Sequence, residues 1–143
     1  MYTVLVATLL TLTGSWSLPV NNVKTELLII QRGNKSRAIL KIDTNCKKPI
    51  MLSLYGDINK EKCGLFFDLT SSYQKLSKTC KSKVAIVGCG KLENNTYSPA
   101  AVVITTIECK GKLIDVKVDP LKGQWIRKKT PKHKLKTKGT ISI

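Results

Sequence analysis

Apolar residues in this chain come in runs of five to eight, separated by short polar breaks, and that spacing restricts the fold more than any other feature. Residues 26–31 (E-L-L-I-I-Q) and 37–42 (R-A-I-L-K-I) flank R-G-N-K-S, which predicts a hairpin with a loop of about five residues. Residues 49–55 (P-I-M-L-S-L-Y) have β character and end at Gly56-Asp57, and residues 83–87 end at G-C-G. Residues 100–107 (A-A-V-V-I-T-T-I) are rich in β-branched side chains, which pack well on a pleated surface. Residues 112–118 alternate in their second half, with Ile114, Val116 and Val118 on one face and Asp115 and Lys117 on the other. Helix signals are fewer. In residues 68–78, Leu69, Tyr73 and Leu76 stand at offsets of four and three, which suits one short amphipathic helix. Residues 124–129 can begin a second, which Pro131 stops. The expected class is mainly β to α+β: a small disulfide-stapled antiparallel sheet domain with one or two short helices.

The first 17 residues carry no charged side chain. Residues 4–12 form an apolar run, and Ser15 and Ser17 occupy the −3 and −1 places of a cleavage site before Leu18. A membrane span needs about 20 apolar residues, so this run reads as a secretory leader, and no later stretch is long enough to span. The expected division is a leader over 1–17, a β-rich body over 18–121 and a basic segment over 122–143, all in an extracellular protein. Five cysteines, Cys46, Cys63, Cys80, Cys89 and Cys109, follow the leader. An oxidising compartment favours two bridges and one cysteine left over; spacing leaves the pairing open. Asn34 and Asn94 each begin an N-x-S/T sequon in a turn-like segment, as an N-glycosylated protein would present them.

Twenty-five basic residues against nine acidic ones give a net charge of +16. Charge of that size favours a polyanionic partner. Near the C-terminus, Lys132, Lys134, Lys136 and Lys138 alternate, so an extended chain points all four ammonium groups to one side. Lys122, Arg127, Lys128 and Lys129 precede them. Such a row matches a sulfated glycosaminoglycan, whose charges also repeat at short intervals, and it is equally compatible with a solvated tail. Export places specific nucleic-acid binding behind the glycan. Catalysis is not expected: the one histidine, His133, sits among lysines, the acids form no pair at a recognisable spacing, and G-C-G lacks the rest of a phosphate loop. No C-x-x-C pair suggests a metal, and no motif suggests a cofactor.

Two blocks share a loose pattern of strand, turn, strand, Asp, then aromatic and basic residues. Pro49 and Pro99, Asp68 and Asp119, and Tyr73 and Trp125 hold matching places in them. The stretch Cys46-Lys47-Lys48-Pro49 with the following strand and Cys63, and later Pro99 with its strand, Asp119-Pro120 and Trp125, resembles the second half of chemokines. The resemblance implies a three-stranded sheet with a C-terminal helix, a possible tandem of units over 18–79 and 80–130, and a secreted signalling ligand with a cell-surface receptor. Two other readings stand beside it. One is a β-sandwich decoy that captures a soluble protein partner, although no tryptophan lies between Cys46 and Cys109 as an immunoglobulin domain would require. The other is a cationic antimicrobial protein.

Overall fold

A computed structural model describes residues 11–20, 23–43 and 48–128; among them ten strands form and no helix. They are β1 (Gly14–Ser17), β2 (Lys24–Arg32), β3 (Lys35–Asp43), β4 (Ile50–Glu61), β5 (Gly64–Ser71), β6 (Gln74–Lys75), β7 (Cys80–Glu93), β8 (Thr96–Cys109), β9 (Lys112–Leu121) and β10 (Trp125–Arg127). Every pairing is antiparallel. Neighbours run β1-β2-β3-β4-β5-β7-β8-β10, and β10 pairs back with β1, so eight strands close a barrel. The remaining two, β6 and β9, flank the β7–β8 hairpin where it continues past the barrel rim.

Period-two alternation builds the wall. In β2, Thr25, Leu27 and Ile29 point inward; in β3, Ser36, Ala38 and Leu40; in β5, Leu65, Phe67, Leu69 and Ser71. An eight-stranded barrel is just wide enough for such side chains to fill. Trp16, Tyr97, Phe67 and Trp125, all fully buried, fill one end with ring centroids 5.1–6.1 Å apart in tilted and edge-on contacts. The Tyr97 hydroxyl donates to the Leu65 carbonyl at 2.6 Å, and burial pushes this phenol well above its ordinary pKa, so it remains a donor. Where strands crowd, only glycine fits: a Cβ at Gly56 would lie 1.7 Å from the Asp68 carbonyl oxygen.

The two expected helices are strands. Residues 68–78 contain the end of β5, all of β6 and the link between them; residues 124–129 contain β10. The α+β class is therefore corrected to an all-β closed barrel, and the alternative of two facing sheets is corrected with it. The physical reason lies in competing periods. Leu69 fits a helical spacing with Tyr73 and Leu76, but it also continues the inward row of Leu65 and Phe67, and the barrel interior takes that row. Tyr73 and Leu76 stay exposed. The first hairpin forms where expected but on a shorter turn, Gly33-Asn34, because Arg32 and Lys35 pair as well. Gly56-Asp57 does not end its strand, and the strand through G-C-G runs on to Glu93.

Two bridges form, Cys63–Cys89 and Cys80–Cys109; Cys46 lies outside the described residues. The first ties the β4–β5 turn to β7 and so joins segments from either side of residue 80 in one barrel. The second crosses the directly opposed pair at the end of the β7–β8 ladder. Replacing Cys63 and Cys89 together by alanine releases a closure of 26 residues. The expected loss is about 3 kcal/mol, read as a lowered thermal midpoint; an unchanged midpoint would show that the bridge contributes nothing.

The strand β1 overlaps the expected leader. Trp16 is fully buried in the core, as is Leu12 just before the strand. β1 is the only strand joining β2 to β10 among the described residues.

Candidate functional site

Strands β7 and β8 pair over fourteen residues each, from Glu93↔Thr96 to Cys80↔Cys109. The barrel uses only part of that length; β5 leaves it at Ser71. Beyond, β6 and β9 flank the hairpin, making a four-stranded ribbon. Its base is pinned by the Val84 amide donating to Ser71 Oγ at 2.9 Å. Its tip is held by the Cys80–Cys109 bridge, by the Lys110 amide donating to the Thr79 carbonyl at 2.9 Å, and by the Lys110-Gly111 turn, where both residues take positive φ.

The ribbon gathers positive charge. Lys75 on β6 stands directly opposite Lys81 on β7, a like-charge pair that weakens a sheet. Lys83 follows on the same face, two residues along. The ammonium groups of Lys81 and Lys83 lie 4.2 and 5.0 Å from the centroid of one ring, that of Tyr73. The Tyr73 hydroxyl donates to the Glu108 carboxylate, and this bond holds the phenol above its ordinary pKa. Glu108 is the acid opposite Lys81, so one carboxylate serves a face that presents three ammonium groups. Lys110 sits at the tip, and Lys112, opposite Cys109, lies on the reverse face. Holding lysines against one another costs stability and requires no core contact, which marks the face as one suited to an external anion. The sequence reading puts Tyr73 on an expected helix and counts neither it nor these lysines among the binding residues, although K-S-K at 81–83 is visible as alternating charge.

The residues named from sequence are dispersed. Lys122 is exposed in the link between β9 and β10. Arg127 is 8 % exposed and faces inward. Its guanidinium lies 4.6 Å from the Trp16 ring and donates to the carbonyls of Thr11, Thr13 and Asn94 at 2.9, 2.8 and 2.6 Å. Burial lowers its pKa from the ordinary value. It therefore clasps the N-terminal segment and the β7–β8 turn, and its donors point to backbone. Lys128 Nζ donates to the Glu26 carboxylate at 2.5 Å, and that bond holds Glu26 below its ordinary pKa. Lys129, Lys132, Lys134, Lys136 and Lys138 lie outside the described residues.

The sequons occupy two exposed turns, Asn34 in β2–β3 and Asn94 in β7–β8. Both turns are at the barrel end opposite the ribbon tip. Thirteen residue steps along β8 separate Thr96 from Cys109, roughly 43 Å at about 3.3 Å per residue, so glycans at Asn34 and Asn94 would leave the lysine face uncovered.

A second surface stands on the outer side of β2, β3 and β4. Its rows are Leu28↔Ile39↔Ser53 and Ile30↔Arg37↔Tyr55, edged by Lys35, whose ammonium is 2.8 Å from Asp57. Leu28, Ile30, Ile39 and Tyr55 are all exposed, and Arg37 lies 5.9 Å from the Tyr55 ring centroid. Among the described residues no group of three His, Cys, Asp or Glu comes together to hold a metal, and no helix is long and apolar enough to cross a membrane. Comparison with protein-family models, curated proteins and solved structures finds no match to this chain.

Proposed function

We propose that this is an exported, cystine-bridged barrel protein that binds a sulfated glycosaminoglycan through the lysine face of its ribbon. The observation that carries the reading is the crowding of Lys81 and Lys83 at the Tyr73 ring, with Lys75 directly opposite Lys81, beside a single carboxylate. A linear polyanion relieves that repulsion and releases its own counterions on contact, so affinity falls steeply with salt. The alternating lysines from 132 to 138 add a second arm to the same polyanion. Held in this way at a cell surface, the protein acts as a cytokine-like ligand. A specific observation favours a second reading, capture of a soluble protein factor: the exposed apolar lattice of Leu28, Ile30, Ile39 and Tyr55, with Arg37 at its centre.

Heparin chromatography tests the assignment. The chain with Lys75, Lys81 and Lys83 all changed to glutamine elutes at lower salt than the unmodified chain. The slope of its log affinity against log salt is shallower by about 2–3, one contact per lysine. Elution at the unmodified position would remove the ribbon from the site. Loss of all retention on truncation after Lys128, with the triple variant unaffected, would place binding in the C-terminal lysines alone.

A further inference from the structure

Strand β9 has a free edge. It pairs with β8 along its length, and no other described strand lies on its far side. The cause is the shortness of β1: its four residues cover β10, which continues the line of β9 along β8, and they reach no further. Ten residues of β9 therefore carry one unmatched row of backbone groups, and all but Leu121 are exposed, including Leu113, Ile114, Val116 and Val118. A long, exposed, apolar edge is a template for another strand.

Pro120 shows which residues offer their backbone to that edge. It stands in the ladder opposite Val102, and a strand proline must turn its nitrogen away from its partner. Val118 and Val116, two and four residues earlier, share that orientation and present both N–H and C=O outward. The register shift at Ile107/Glu108 leaves Ile114 without a partner on β8, so the regular stretch runs from Asp115 to Leu121.

We infer that the occupant is a second copy of β9, paired antiparallel about a two-fold axis through Val116. Two registers set Lys117 against a carboxylate, an axis through Val116 with the partner's Asp115 and an axis through Val118 with the partner's Asp119, and the second puts Pro120, which has no N–H to give, opposite the partner's Val116. With Val116 opposite its own copy, Asp115 faces the partner's Lys117 and Lys117 faces the partner's Asp115. Moving the axis one residue, to Lys117, would set two ammonium groups against each other. The pairing joins two ribbons into one eight-stranded sheet and sets the two Val116 side chains side by side on one face. Lys117 keeps an intrachain alternative in Asp119, 3.9 Å away, and both groups are largely exposed, so it is free to change partner.

Two chains of net charge +16 repel at long range, and salt screens that repulsion within about 8 Å at physiological ionic strength. Dimerisation therefore strengthens as salt rises, the opposite of polysaccharide binding, so failure of one reading is distinguishable from failure of the other.

Sedimentation velocity on the full chain, from about 1 to 100 μM and at low and raised salt, is the test. The expected result is a monomer–dimer equilibrium. Asp115→Lys alone and Lys117→Asp alone each weaken it about tenfold. An equimolar mixture of these two variants restores association, since each then faces its opposite charge, and the double variant restores it within one chain. Val116→Pro abolishes it without disturbing the β8 ladder, its nitrogen facing outward as that of Pro120 does. A monomer at every concentration, or a dimer indifferent to these changes, would overturn the inference. So would a monomeric full chain that dimerises only after truncation beyond Lys128, which would make the C-terminal segment the occupant.

Discussion

A chain that begins at Leu18 does not form this barrel. Removing the first 17 residues takes away Leu12 and Trp16, both fully buried, and the only strand that closes the wall between β2 and β10. Losing a buried tryptophan costs about 3–5 kcal/mol and a buried leucine about 2–5 kcal/mol. Two strand edges are opened as well, and Arg127 loses the carbonyls of Thr11 and Thr13. The combined loss matches or exceeds the whole stability of an ordinary domain, roughly 5–15 kcal/mol. Circular dichroism and thermal unfolding of residues 11–143 and 18–143 separate the cases: the longer chain unfolds cooperatively and the shorter one shows no transition. Cooperative unfolding of 18–143 near the same temperature would refute it. The result bears on export directly. N-terminal sequencing of protein released from expressing cells decides the matter: a start at Thr11 or earlier keeps β1 in the barrel, and a start at Leu18 would mean that the exported chain closes its wall without β1.

Arg127→Met is expected to lower stability by about 3–5 kcal/mol, since three carbonyls lose their charged donor and each one left buried without a partner costs about 1–3 kcal/mol. The guanidinium bonds three backbone carbonyls and covers the Trp16 ring, and methionine keeps only the volume. Carbonyls left buried without a donor account for much of the loss. Arg127→Lys recovers little, because an ammonium cannot reproduce a planar fork that reaches Thr11, Thr13 and Asn94 together while lying over an indole. A fall of about 10–20 °C in the thermal midpoint is the expected readout for a domain of this size. Heparin elution below that midpoint should stay where it was. A large change in elution with an unchanged midpoint would return Arg127 to the glycan-binding residues and take away its structural role.

Strand positions were largely legible because alternation is local. Residues 26–31, 37–42, 100–107 and 112–118 lie in strands, as do residues 49–55 except Pro49, each stretch recognisable without knowledge of its neighbour. Residues 68–78 were not legible for a related reason. Three apolar side chains at helical spacing are a weak signal, and the row Leu65, Phe67, Leu69 was the stronger one once a barrel interior existed to receive it. Bridge pairing was also hidden, since cysteine spacing constrains loop length and says nothing of register; Cys80 meets Cys109 because fourteen residues of β7 and β8 align from the far end.

The candidate site divides in the same way. Net charge, the sequons and the alternating C-terminal lysines are composition and order, and a sequence states them outright. Whether a given cation is ligand-facing or structural depends on its neighbours, and those arrive through long-range pairing. Arg127 and Lys128 are adjacent in the chain, yet one reaches inward to Thr11, 116 residues away, while the other pairs outside with Glu26. Lys75, Lys81 and Lys83 became one face only when β6 aligned with β7, which also set the Tyr73 ring against Lys81 and Lys83. Local chemistry wrote the strands, the turns and the charge. Barrel closure by β1, the burial of Trp16 beneath Arg127 and the crowding of the ribbon lysines were left to contacts between distant segments, since side-chain surroundings in a barrel are set by which strands meet and in what register.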